Sequence, residues 1–326
     1  MPVWAGICRE SVPDSPEVRC VKNKRVLGNG LLLFTAMIWG TAFVFQRVGM
    51  ESIEPISFNA ARMALAALAV GTVAFFTRGH RRAQSAQRTA QELKRYRKST
   101  FAGGICCGVF LALGSIFQQM GLVYTTAGKA GFITAMYILL VPVISFFFLK
   151  KKNSWLVWAA VLLGVAGMYL LCISGEIRLS RGDLFVSVCA VFFSCHILFC
   201  DHFARRGDAI SISAIQFATV TVISAAAALI TEEPSPGKLA SAILPILYCG
   251  LVSGGIGYTL QLVAQKYTDP TVASLLMSME AVFAVIAGAL LLSERMSTRE
   301  LTGCVIMFAA IVLVQIPLPA GKKADR

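Results

Sequence analysis

The sequence predicts an all-α integral membrane protein whose ten transmembrane helices form two inverted five-helix repeats. Three observations predict it: the composition, ten apolar runs of spanning length, and a second half that slides onto the first at a steady offset. Hydrophobic residues are 56% of the 326 and charged residues only 14%, where a soluble globular chain carries roughly a quarter charged. A chain of this size cannot enclose so much apolar surface in its own interior, so lipid replaces water around it. The ten cysteines are scattered and mostly sit inside apolar runs, with no Cys-x-x-Cys pair and no histidine at ligand spacing from a pair. They read as small apolar filler, and no metal or cofactor is expected.

Residues 1–27 contain Arg9, Arg19, Lys22, Lys24 and Arg25 and lack a small-residue cleavage site after these charges. They read as a retained cytoplasmic tail. A bilayer core of about 30 Å takes ~20 helical residues to cross. On that length the first five spans are Gly30–Met50, Ile56–Phe76, Phe101–Val123, Ala127–Leu149 and Trp155–Ile173. The second five are Asp183–Phe203, Ile210–Ile230, Ala242–Ala264, Pro270–Leu292 and Leu301–Ile316. Pro142 lies within the fourth span, removes a backbone donor and predicts a kink there. Short links with turn residues, as at Ser174–Gly175 and Glu233–Gly237, force neighbouring spans to run antiparallel. Residues 317–326 form a second tail.

Orientation follows from charge. With the N-terminus inside, cytoplasmic segments hold 22 of the 30 Lys and Arg and outer segments hold 7, leaving only Arg62 well inside a span. The positive-inside rule therefore puts both termini in the cytoplasm, as a multi-pass protein of the cytoplasmic (plasma) membrane. The net charge of +13 is concentrated beside the bilayer at Arg78–Lys98. Tyr96 is the lone aromatic in that stretch, whereas nucleic-acid binding wants aromatics interleaved with charge. No nucleic-acid partner is expected; the partners are a small-molecule solute and the lipid bilayer. Nothing in the chain speaks to its oligomeric state.

The halves match at an offset of 154 over the first two spans: Gly28 on Gly182, Ala36 on Ala190, Phe45 on Phe199, Ser57 on Ser211 and Arg62 on Gln216. Over the third spans the offset is 143, with Gly114 on Gly257, Gln118 on Gln261 and Tyr124 on Tyr267. The step of 11 falls in the basic loop after the second span. Over the last two spans the offset is near 140, give or take about three residues. An odd number of spans per half inverts the second copy, so residues 28–176 and 177–316 are expected as inverted repeats. That is the architecture of secondary transporters.

Polar side chains inside spans mark where a solute could sit, because an ionisable group facing hydrocarbon is costly. Glu280 lies mid-span, with Ala284 and Gly288 on its face; it reads either as a handler of a proton, cation or amine, or as a carboxyl hydrogen-bonded between helices. Arg62, Gln118 and Gln119 form an outward layer, Trp39, Tyr137, His196 and Glu280 a central one, and Gln216 with Gln261 an inward one. Each glutamine fits an interhelical hydrogen bond equally well. An unperturbed imidazole titrates near neutral pH, so His196 could carry a proton, or stand as a satisfied neutral imidazole. Opposite charges in one cavity suit a zwitterion such as an amino acid.

Several stretches carry a family resemblance. Trp39–Gly49, Arg62, Gln118–Phe132 followed by Val141-Pro142-Val143, and Ser293-Glu294-Arg295-Met296-Ser297 with Gly303 resemble motifs of the EamA family of the drug/metabolite transporter superfamily. The resemblance runs from Gly28 to Ile316 and implies a ten-helix carrier moving a small metabolite by alternating access, with no catalytic residues. The chain departs from the family pattern at Ser293, at Ala281 after Glu280, and at Lys150-Lys151-Lys152. Two other classes compete. An intramembrane hydrolase could use Ser253 and His196, although Leu251 interrupts the Gly-x-Ser-Gly spacing. A non-transporting scaffold would ordinarily bring a sizeable soluble domain, and no connection exceeds roughly two dozen residues.

Overall fold

The computed structural model describes residues 16–79, 88–125, 127–151, 153–172, 180–291 and 297–315. Most of the two tails, the Ser174–Gly175 link and Ser293-Glu294-Arg295-Met296 lie outside the described residues. Among the described residues every regular element is helical. The first half comprises α1 (Pro16–Gly49), α2 (Pro55–Phe76), α3 (Ala90–Leu122), α4 (Ala127–Thr134), α5 (Tyr137–Leu149) and α6 (Trp155–Cys172). The second comprises α7 (Arg181–Ala204), α8 (Ala209–Thr231), α9 (Pro236–Ser241), α10 (Ile243–Leu247), a π-helical run (Tyr248–Tyr258), α11 (Thr259–Ala264), α12 (Pro270–Met277), α13 (Glu280–Leu291) and α14 (Thr298–Gln315).

Eight helical stretches are long and apolar enough to cross a membrane, and Trp155–Leu170 is a shorter apolar helix. α14 has the same 18-residue length as α6, carries Arg299 and Glu300 in its first turn, and packs along α6. α1 and α3 start well before their apolar parts, further than the apolar runs alone predict. For α3 the cause is a capping box: Thr89 Oγ1 accepts from the Glu92 amide at 3.3 Å, and Glu92 Oε2 accepts from the Thr89 amide at 2.8 Å. Lipid is as apolar as leucine, so close approach and hydrogen bonds hold the bundle together. Gly40 shows how close: a Cβ there would lie 2.6 Å from the Glu280 carbonyl and 2.5 Å from Phe283 Cβ. Leu68, Phe75, Phe76, Phe147, Phe148, Leu229 and Ile230 face outward.

The interruption in the fourth span is not at Pro142, which sits inside α5. It falls at Ala135–Met136, where Met136 and Ile138 donate to carbonyls only three residues back. The same break recurs 143 residues later at Ser278–Met279, directly before Glu280. The bounds of α4 and α12, and of α6 and α14, are likewise 143 apart, which sharpens the offset near 140 expected from sequence. Packing follows the same correspondence. α1 lies against α12 and α13 as α7 lies against α4 and α5, while α2 pairs with α8 and α6 with α14. α3 packs on α7 and α8, as the π-helical run packs on α1 and α2. Thr268 Oγ1 donates to Asn29 Oδ1 at 3.0 Å, and Thr125 Oγ1 donates to Asp183 Oδ1 at 3.0 Å; these positions are related by the same offsets of 143 and 154.

Candidate functional site

Where α1 to α3 meet α4, α5, α7, the π-helical run, α11 and α13, a cavity of about 40 Å³ remains. Seven of the nine residues singled out from sequence line it: Trp39, Arg62, Gln118, Tyr137, His196, Gln261 and Glu280. Gln119 and Gln216 do not. Each stands one hydrogen bond behind the wall, Gln119 Nε2 donating to Gln46 Oε1 and Gln216 Oε1 lying 3.2 Å from His196 Nε2. The sequence reading missed Gln46, Thr134, Tyr258 and the apolar wall Phe43, Phe193 and Ile197. Gln46 had a signal, being a polar side chain within an apolar span; the aromatic residues had none.

Arg62 is buried, 3% exposed. Its Nη1 donates to Gln46 Oε1 at 3.0 Å, and Nε and Nη2 donate to Asn59 Oδ1 at 3.0 and 2.8 Å. Asn59 Nδ2 in turn donates to Ser115 Oγ and Ser224 Oγ, each at 2.9 Å. Neutral amides therefore orient the guanidinium, and among the described residues no carboxylate pairs with it. A buried cation without a counter-ion is costly. Here the cost is met by the amide oxygens of Gln46 and Asn59.

Tyr137 and Glu280 each begin a helix directly after a break, at equivalent places in α5 and α13. The two meet, Tyr137 donating its hydroxyl proton to Glu280 Oε1 at 2.9 Å. Gln118 Nε2 donates to Thr134 Oγ1 at 3.3 Å. Trp39 lies over Gly257, where a Cβ would come within 2.7 Å of Nε1, and it stacks obliquely on Tyr258 at 4.7 Å. Its Nε1 donates to the Ser253 carbonyl at 3.2 Å, a group in the π-helical run. Phe193 covers Gly114 in the equivalent way, a Cβ there lying 2.7 Å from its ring. Gln216 Nε2 and Gln261 Oε1 are buried without a partner among the described residues. Ser253 and His196 both line the cavity, and no hydrogen bond joins them.

Apolar helices of spanning length around a polar, charged cavity define a multi-pass membrane protein built to handle a solute. The profile of the EamA-like transporter family matches residues 26–173 and 180–316. The chain belongs to that family. It is 28% identical to an uncharacterized transporter from Archaeoglobus fulgidus, across 90% of this chain and 87% of that one. It is 22% identical to the Bacillus subtilis transporter YoaV, across 86% and 94% respectively. A crystal structure at 19% identity superposes with a TM-score of 0.69 over 88% of this chain and 96% of its own, a likeness of fold.

Proposed function

We propose that the protein is a secondary transporter of a small zwitterionic metabolite, an amino acid or a close relative, working by alternating access. In this reading it crosses the cytoplasmic membrane ten times as two inverted repeats, 28–176 and 177–316, with both termini in the cytoplasm. Support comes from the doubled family match, the recurring helix breaks, the paired Thr–Asx hydrogen bonds and the distribution of Lys and Arg.

The observation that carries the solute class is the unpaired Arg62, facing the same cavity as the Tyr137–Glu280 pair. A carboxylate entering would supply the missing counter-ion to a guanidinium already oriented by Gln46 and Asn59. An ammonium group is the natural complement of Glu280 at the other wall. Trp39, Phe43, Phe193 and Tyr258 enclose the space between. A cavity of about 40 Å³ holds roughly three waters, too little for an amino acid, so this is a closed state. Loading requires the helices to part, and the breaks at Ala135–Met136 and Ser278–Met279 place joints beside the binding groups. Uptake of labelled amino acids into proteoliposomes tests the reading. Arg62→Ala and Glu280→Gln should both lower flux, and undiminished flux in both variants would remove this cavity as the solute site.

A further inference from the structure

We propose a second binding site on this protein, a groove at the membrane surface that takes the headgroup of an anionic phospholipid. It lies between the end of α2, the start of α3 and the start of α8, and has a volume of about 570 Å³. Its floor is apolar, formed by Phe75, Leu93, Phe101 and Ile215, and its rim carries Arg78 and Arg97. At 33 residues, α3 is ~50 Å long at 1.5 Å per residue and outruns a hydrocarbon core of about 30 Å. Its projecting part turns one stripe, Leu93, Tyr96, Arg97, Thr100 and Phe101, to the groove.

The two arginines stand at one level. Arg78 comes two residues after the apolar end of α2 at Phe76, and Arg97 one turn before Phe101, where the apolar part of α3 begins. That boundary is where lipid phosphates lie. Both arginines are exposed, and neither has an ion pair or hydrogen bond among the described residues. Phe75 and Phe101 are 68% and 61% exposed, the surface an acyl chain would cover. The Asp208 carboxylate also lines the groove and caps α8, accepting from the Ser211 amide at 2.8 Å; two arginines against this one carboxylate leave the lining at +1. Next to it, sharing Tyr96, Arg88, Arg95, Arg205 and Arg206 line a second opening with Glu92. A phosphodiester without a compensating ammonium fits two guanidinium groups over an apolar floor. The site is separate from the Arg62 cavity and holds whether or not that cavity binds a zwitterion.

Native mass spectrometry of the full-length protein in detergent, titrated with phosphatidylglycerol or phosphatidylcholine of identical chains, tests it. The wild type should bind phosphatidylglycerol more tightly, and R78Q/R97Q should lose about thirty-fold in that affinity, roughly fivefold per arginine, while Lys151→Gln retains it. Unaltered phosphatidylglycerol binding by R78Q/R97Q, or no preference in the wild type, would overturn the proposal. Displacement of the lipid by inorganic phosphate at constant ionic strength would overturn it too, showing a site for soluble phosphate. Should R78Q/R97Q not remain monodisperse, the single variants Arg78→Gln and Arg97→Gln, both at exposed positions, decide the matter at about fivefold each.

Discussion

The surroundings of Arg62 and of Gln216 occupy corresponding places in the two halves, 154 residues apart, and have opposite chemistry. Around Arg62 stand Gln46, Asn59 and Gln119, all buried and hydrogen-bonded into one network. At the same offsets of 154 and 143, the other half has Cys200, Ser213 and Leu262. Cys200 and Leu262 belong to an apolar cluster with Cys107, and the Ser213 hydroxyl has no partner among the described residues. The two halves share paired helix breaks and a Trp or Phe seated on a glycine, although the continuous α3 has a counterpart broken by the π-helical run. They also differ in which polar groups each holds. Arg62 is a supported cation in the cavity wall, whereas Gln216 is a neutral amide one hydrogen bond behind it.

The largest effect expected is at the charged pole. Arg62→Ala should reduce flux at least about 30-fold, since removing one side of a buried charge interaction costs about 2–5 kcal/mol, whereas Gln216→Ala should cost fivefold or less. Equal losses in proteoliposome uptake would erase the distinction between the poles. Glu280→Gln should lower flux of an amine-bearing solute about tenfold, the scale of one charge-assisted hydrogen bond, and leave an analogue lacking the amine unchanged; competition kinetics read the ratio. Gly257→Ala and Gly114→Ala each push a Cβ to 2.7 Å from the covering ring and should lower stability by ~1–3 kcal/mol in thermal melts. Only the first should also alter tryptophan fluorescence, through Trp39. Gln119→Leu makes the Arg62 pole resemble the other at that position. It removes one support from Gln46, and about 1 kcal/mol, or fivefold in flux, is the expected cost.

The smallest effect lies at the start of α2, outside the spanning segments. Lys238 pairs with Glu54 and holds its carboxyl below the ordinary value of 4.5, so the pair contributes stability above that value and loses it as pH falls through the lowered one. The difference in melting temperature between the wild type and Glu54→Gln should hold steady from neutral pH to about 5 and shrink below it. The same corner is tied by Glu232, whose carboxylate accepts from the amides of Ile56 and Ser57 at 2.9 and 2.7 Å.

Arg62 and Glu280 were legible in the sequence because a charge within an apolar run must face protein or a cavity. Gln119 and Gln216 carried the same kind of signal, and only their rotation about the helix axes put them behind the wall. Phe193 gave no sign of itself, because an aromatic residue in an apolar helix looks alike whether it meets lipid, protein or a cavity. The start of α3 was readable in Thr89 and Glu92, a capping box beyond the apolar run.

Composition and run length alone determined that the chain is a helical membrane protein, since these depend on what each residue prefers as solvent and on the thickness of a bilayer. The internal offset of 154 and then 143 was likewise present in the order of residues. Tertiary structure alone decided that Tyr137 donates to Glu280, that Arg62 has no counter-ion, and that Trp39 reaches a carbonyl of a π-helical run. Those contacts join residues more than a hundred positions apart or depend on a carboxylate being absent nearby. Distance in space between packed helices is set by the small residues that let them close, and the linear order of residues does not contain it.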